Sequence, residues 1–302
     1  MKRTSKKSTD KTHPVLFELP PRGAEDRPLP QLKHPIWTEN KAKLIQRYLF
    51  LFELVTKHGT YIDGFAGPQE PDKPTMWAAK LVLDMRPPFL LHFHLCEKLK
   101  YKVKELEALK RQQPETEKGR KLSRTINVYP GDFNQNVRKI LKPGEITDKA
   151  VFCLLDQHTF ECHWESVRLI ADYKRGEPTK IEQFYFLATS WIARSFSGVR
   201  HDQQIQDWWG RKDWHDVMKW SWNKVLDEMG WRFRDELGYK SVRAYPIYSD
   251  KSMGSRIMYH MIHATDHEAA PELMTRAYNT ALKRKGTQLE LESLFPVPPE
   301  VS

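Results

Sequence analysis

Apolar side chains recur at helical spacing from residue 41 onward, where Lys41, Leu44, Ile45, Tyr48, Leu51, Phe52 and Val55 share one face. Thr38 stands where an N-cap belongs and Gly59 ends the run, which predicts a helix. The pattern then changes. Thr60–Asp63 reads as a short strand, Phe89–Cys96 as a second, Thr125–Tyr129 as a third, Lys149–Leu155 as a fourth and Ile181–Ala188 as a fifth. Helical stripes stand between them: Leu99, Val103, Leu106 and Leu109, then Phe133–Leu141, then about His163 to Tyr173. Strands that are apolar throughout, alternating with helices, predict a doubly wound, mostly parallel sheet covered on both faces, a Rossmann-like α/β fold.

The last third breaks the alternation. Val242–Tyr248 and Arg256–Ala264 flank a Ser-Asp-Lys-Ser-Met-Gly turn, a pattern that predicts an antiparallel hairpin. Thr265-Asp-His-Glu268 reads as a capping box opening a final helix with Met274, Ala277, Tyr278 and Ala281 on one face. Between strand five and the hairpin, Trp208, Trp209, Trp214, Trp220, Trp222 and Trp231 crowd one helical stretch. Large aromatics at helical spacing predict a small core packed onto the sheet. The expected organisation is a basic arm over 1–30, a sheet domain over 31–189 and 240–284, a helical insertion over 190–239, and a tail over 285–302.

At 302 residues and 39% hydrophobic, the chain has ample material for a core, which excludes wholesale disorder. No run of about 18 apolar residues exists, so a membrane span is not expected. Cys96, Cys153 and Cys162 lack paired spacing and read as reduced thiols of a cytoplasmic protein. His158, Glu161, Cys162 and His163 lie close together, but no second cluster completes a zinc set, so no metal is expected. Lys and Arg number 49 against 39 Asp and Glu, and the net charge of +10 points to a polyanionic partner, nucleic acid first. Lys2, Arg3, Lys6, Lys7 and Lys11 in the arm supply half of that excess. Arg194 and Arg200 after strand five, and Arg211 and Lys212 among the tryptophans, are the expected nucleic-acid contacts.

In an open α/β sheet the ligand crevice lies at the carboxyl ends of the strands. Here those ends carry Asp63, Glu97, Asp132 and Asp156, four acids in strand order. The first loop, Gly64-Phe65-Ala66-Gly67-Pro68, leads into Glu70 and Asp72, so it would repel a phosphate. A cationic or zwitterionic ligand fits better, and S-adenosylmethionine is one. Glu97 would take its ribose hydroxyls, Asp132 its adenine amine with Phe133 against the ring, and Asp63 its ammonium end, while Gly64–Gly67 make room for the methionine moiety. Asp156 and Gln157 would supply hydrogen-bond acceptors to a nucleophile, with His158 or Phe160 as a wall.

These residues also carry a family resemblance. Trp37-Thr38-x-x-Lys41 ahead of a helix bearing Tyr48, followed by Tyr61-Ile-Asp-Gly-Phe-Ala-Gly-Pro68, resembles the class I methyltransferases, and within them the three-Cys-motif partner protein family. Asp156-x-x-x-Phe160-x-x-x-Trp164-Glu165 and Tyr259-His-Met-Ile-His-Ala-Thr265-x-His267 are similar to two further stretches of that family, so the likeness runs over about residues 34–282. It implies Thr38 and Lys41 as additional cofactor contacts and a partner protein encoded nearby. The chain departs from the family in reading Asp-Gln-His-Thr after strand four, where the family has Asp-Pro-Phe. Three functions stay open: a methyltransferase acting on nucleic acid or an associated target, a catalytically silent binding module on the same fold, and a small-molecule methyltransferase.

Overall fold

The computed structural model describes residues 36–37, 41–69, 73–117, 120–146, 148, 150–190, 192, 196, 202–248 and 257–282. The expected arm, the tail and the loop of the hairpin lie outside these residues, as do Thr38, Arg194 and Arg200.

Ten strands occur among the described residues: β1 (Ile36–Trp37), β2 (Thr60–Asp63), β3 (His92–Glu97), β4 (Thr116–Glu117), β5 (Arg120–Lys121), β6 (Thr125–Pro130), β7 (Val151–Leu155), β8 (Glu182–Leu187), β9 (Ser241–Tyr248) and β10 (Ile257–Thr265). Nine α-helices lie wholly within the described residues: α1 (Lys41–Thr56), α2 (Ala78–Leu83), α3 (Lys100–Arg111), α4 (Phe133–Ile140), α5 (Trp164–Tyr173), α6 (Asp202–Trp209), α7 (Trp214–Val217), α8 (Trp222–Trp231) and α9 (Ala270–Leu282). Eight strands form one sheet in the order β1-β9-β10-β8-β7-β2-β3-β6, and β4–β5 form a separate ribbon. Pairings from β6 through β8 are all parallel, whereas β10 runs antiparallel to both β8 and β9. The mostly parallel sheet with a C-terminal antiparallel hairpin is therefore as the apolar pattern predicts. Among the described residues no helix is long and apolar enough to cross a membrane.

Alternation along the buried strands sends neighbours to opposite layers. Phe152 and Leu154 join a core with α1, α2, α3 and α9, while Val151, Cys153 and Leu155 join a second core with α4, α5 and the tryptophan-rich helices. Trp208 and Trp209 are fully buried there, and Trp214 nearly so. Trp220 and Trp231 are half-buried, and Trp222, at 37% exposed, stacks on His260.

Three local expectations fail. Val55 is 50% exposed, in the last turn of α1. Leu99 caps α3 instead of joining its apolar stripe. The capping box at Thr265 does not form, because α9 starts later, at Ala270; the Thr265 hydroxyl instead accepts the His267 amide at 3.1 Å while donating to buried Glu182. That Glu182 carboxylate also accepts from Tyr48 and faces His263 Nε2 at 2.9 Å, joining α1, β8 and β10 at the end of β8 remote from the parallel strands' carboxyl ends.

Trp208 anchors the insertion: its indole N–H donates to Tyr185 Oη at 2.8 Å, and its ring meets Phe160 at 4.8 Å. Replacing Trp208 with Ala should destabilise the fold by about 3–5 kcal/mol, the range for deleting a fully buried aromatic. Chemical denaturation measures this, and a loss below ~1 kcal/mol would mean that the insertion is not part of the core.

Candidate functional site

The chain runs outward from β2 to β3 to β6, then returns to β7 on the other side of β2 and continues to β8. The direction of travel reverses between β2 and β7, and a crevice opens at such a switch point. A cleft of about 480 Å³ lies there, with Gly64, Gly67, Glu97, Asp132, Phe133 and Asp156 in its wall. Three of the four strand-end acids thus enter one cavity. Asp63 does not line it.

Asp63 serves the turn that follows it. Tyr61 Oη donates to its Oδ2 at 2.8 Å, and the Phe65 amide to its Oδ1 at 3.0 Å. Burial pushes this carboxyl up to about 7, and the nearby Asp156 and Glu97 charges add to the rise, against the lowering effect of its two donors. The rest of the turn is held in the same inward manner. The Gly64 amide donates to Leu154 O at 2.9 Å, the Ala66 amide to Cys96 O at 2.8 Å, and the Gly67 amide to Glu97 Oε2 at 3.1 Å. A Cβ on Gly67 would sit 2.2 Å from that carboxylate oxygen, so glycine is required. Pro68 is buried behind the turn, and Trp77 donates its indole N–H to Ala66 O at 2.6 Å.

Glu97 bridges two loops, because its other oxygen accepts the Leu99 amide at 2.7 Å. Asp132 caps α4: its Oδ1 takes the Asn134 amide at 2.8 Å, while Oδ2 faces Lys98 at 3.5 Å. The helix-capping role available to any strand-end acid is real for this one. Phe133 is buried and packs its ring 6.0 Å from Phe65, so only part of it faces the cleft.

Asp156 closes the opposite wall. Lys41 from α1 approaches both of its oxygens at 2.8 Å, and Gln69 donates to Oδ2 at 2.9 Å. The Lys41 ammonium also lies 5.0 Å from the centre of the Phe186 ring and 5.3 Å from that of Tyr259. Lys41 therefore meets the site through Asp156. Gln157, expected to offer an acceptor to a nucleophile, is buried and spent between its own loop and β8: its oxygen accepts the Cys162 amide at 2.8 Å and its nitrogen donates to Phe186 O at 3.2 Å. His158 is exposed at the cleft wall beside Phe160, which stacks on Phe196 at 5.2 Å.

Of the expected nucleic-acid contacts within the described residues, Arg211 is engaged by Glu228 at 2.7 Å and by Glu236, whereas Lys212 is exposed. Cys96, Cys153 and Cys162 are buried, and burial raises all three thiols, Cys96 to about 12. Inert core thiols fit that position. Glu161, weighed above only for a metal, lines the cleft, as do Gln69 and Asp207, which were not singled out from sequence. Nothing in their local pattern marks them, since loop closure and the insertion bring them in.

No protein-family model matches the chain, and no curated protein matches it. Among solved structures it is similar to protein LPL1258 from Legionella pneumophila str. Philadelphia 1, described by the family-model DUF519. The superposition has a TM-score of 0.44 at 11% sequence identity and covers 82% of this chain and 94% of that one.

The buried Asp63 makes a signed prediction. Its folded-state value near 7 lies above the ordinary 3.8, so its burial opposes folding fully above pH 7 and is relieved as the pH falls toward 4. Asp63→Asn should therefore gain about 1–3 kcal/mol over the native chain at pH 8, a gain that disappears by about pH 4. Paired thermal melts from pH 4 to pH 8 test this. A variant that loses stability at pH 8 would show that the turn needs the charged carboxylate.

Proposed function

We propose that the chain is an S-adenosylmethionine-dependent, class I methyltransferase-like protein acting on nucleic acid or a nucleic-acid-associated target. One observation carries the reading: the cleft at the switch point is walled by Glu97, Asp132 and Asp156, while all four amides of Gly64–Gly67 donate inward to protein acceptors. A dinucleotide site needs such amides free for pyrophosphate. This turn offers none, and its acids favour a cationic ligand.

The donor set suits S-adenosylmethionine. Each Glu97 oxygen accepts one backbone amide and keeps a lone pair for a ribose hydroxyl. Asp132 Oδ2 remains beyond its capping bond for an exocyclic amine, with Phe65 and Phe133 beside it. When bound, the cofactor supplies a methyl group activated on a sulfonium. Asp156 would accept a hydrogen bond from the nucleophile and align it, with Lys41 offsetting its charge; alignment is the main demand of such a transfer. The engagement of Asp156 by Lys41 and Gln69 also favours a second reading, a catalytically silent module that binds the cofactor alone.

Calorimetric titration with S-adenosylmethionine and S-adenosylhomocysteine tests the cofactor reading. Glu97→Ala should weaken binding by about 1.5–3 kcal/mol, the range for hydrogen bonds to a charged group. Equal affinity would restrict Glu97 to holding the loops. Asp156→Ala should lower turnover about ten- to a thousandfold with cofactor affinity kept, as for an acceptor used in the transition state. Cofactor binding without methyl transfer by the native chain on any nucleic acid would select the silent module.

A further inference from the structure

Beside the acid-walled cleft lies a second recess of about 630 Å³, bounded by the start of α5, the turn between α6 and α7, and the π-helical turn Arg232–Glu236. The two recesses share His163 and Asp207. We infer that this second recess is a phosphate-binding site, which deepens the substrate half of the function proposed above.

Arg232 is the main reason. It lines the recess, yet it is only 1% exposed. Its guanidinium carbon lies 3.7 Å from the centre of the Trp164 ring and 4.8 Å from that of Trp209. Nη1 donates to Trp209 O at 2.6 Å and Nε to Glu236 Oε2 at 3.2 Å, whereas Nη2 meets no acceptor among the described residues. A buried guanidinium N–H without a partner is costly and calls for a ligand. The two indole rings and the two bonds fix the plane of the guanidinium, so the remaining N–H is pre-organised for an oxyanion.

The rim supplies the second reason. Arg168 and Lys212 are exposed at this recess and form no hydrogen bond or ion pair among the described residues. Two of the acids here are already paired with cations, and the third is hydrogen-bonded. Glu165 pairs with Arg138, Glu236 serves both Arg211 and Arg232, and Asp207 accepts from Gln203 at 2.7 Å. Two rim cations and a fixed guanidinium thus remain for a phosphate next to a cleft whose carboxylates repel one. The pairing sorts ligands by charge: a cation goes to the cleft and a phosphate-bearing acceptor lies across His163.

Fluorescence anisotropy of the full chain with a labelled single-stranded oligonucleotide, over a range of salt, tests the proposal with the double variant R168A/K212A. Both side chains are on the surface, so melting temperature and calorimetric affinity for S-adenosylhomocysteine should not change. Oligonucleotide affinity should fall at least tenfold at low salt, and the log–log salt slope should become shallower by roughly 1.4, two contacts at about 0.7 each. Competition by inorganic phosphate and by a nucleoside monophosphate separates the sources. Displacement at concentrations near the oligonucleotide's own Kd assigns the site to a small phosphate ester, and displacement by oligonucleotides alone assigns it to a nucleic-acid backbone. Equal oligonucleotide and phosphate affinity in the native chain and the variant overturns the proposal, as does the absence of binding by the native chain to all three probes. The S-adenosylhomocysteine titration reports separately on the cofactor reading, so either can fail alone.

Discussion

The Glu97 carboxylate ties two loops together with one group, taking the Gly67 amide on one oxygen and the Leu99 amide on the other. The contact is possible only because residue 67 has no Cβ. It sets the β2 turn against the start of α3, and with the bonds from Gly64 and Ala66 it locks the floor of the cleft to β7 and β3. Everything placed in the cleft is measured from that floor. The cap Asp132 stands one strand beyond it, and Asp156 faces it across the switch point. A turn held so completely by its own chain has no amides left to offer a ligand, so recognition falls to side-chain oxygens.

The sheet was legible because its strands are buried on both faces and therefore apolar throughout. The hairpin was legible from the two runs flanking its polar turn. Elements of two residues were not: β1, β4 and β5 are too short to show any period. The start of the last helix went astray because the Thr265 hydroxyl caps only a local turn at His267 and α9 begins at Ala270.

For the site, topology alone brings Glu97, Asp132 and Asp156 together, and an acid at a strand end is visible in the sequence. The direction in which each acid points is not. Asp63 turns toward Tyr61, Gln157 turns into its own loop, and Lys41 reaches Asp156 across 115 positions of sequence. Arg232 shows the same limit. Among the charged residues of a helical stretch it looks solvated, and only the folded insertion places it between Trp164 and Trp209.

The pairing of β1 with β9 has a consequence for how the chain reaches this structure. Ile36 lies opposite Ile247, and α1, which follows β1 directly, packs against α9 at the far end of the described residues. The beginning of the fold is therefore completed by its end, about 200 residues later. During synthesis β1 and one side of α1 must wait, uncovered, until the hairpin and α9 have left the ribosome. Contacts of such long sequence separation make for slow folding. The half of the sheet from β2 to β7, which holds the floor of the cleft, can assemble earlier, so the recess takes shape before the domain around it is closed.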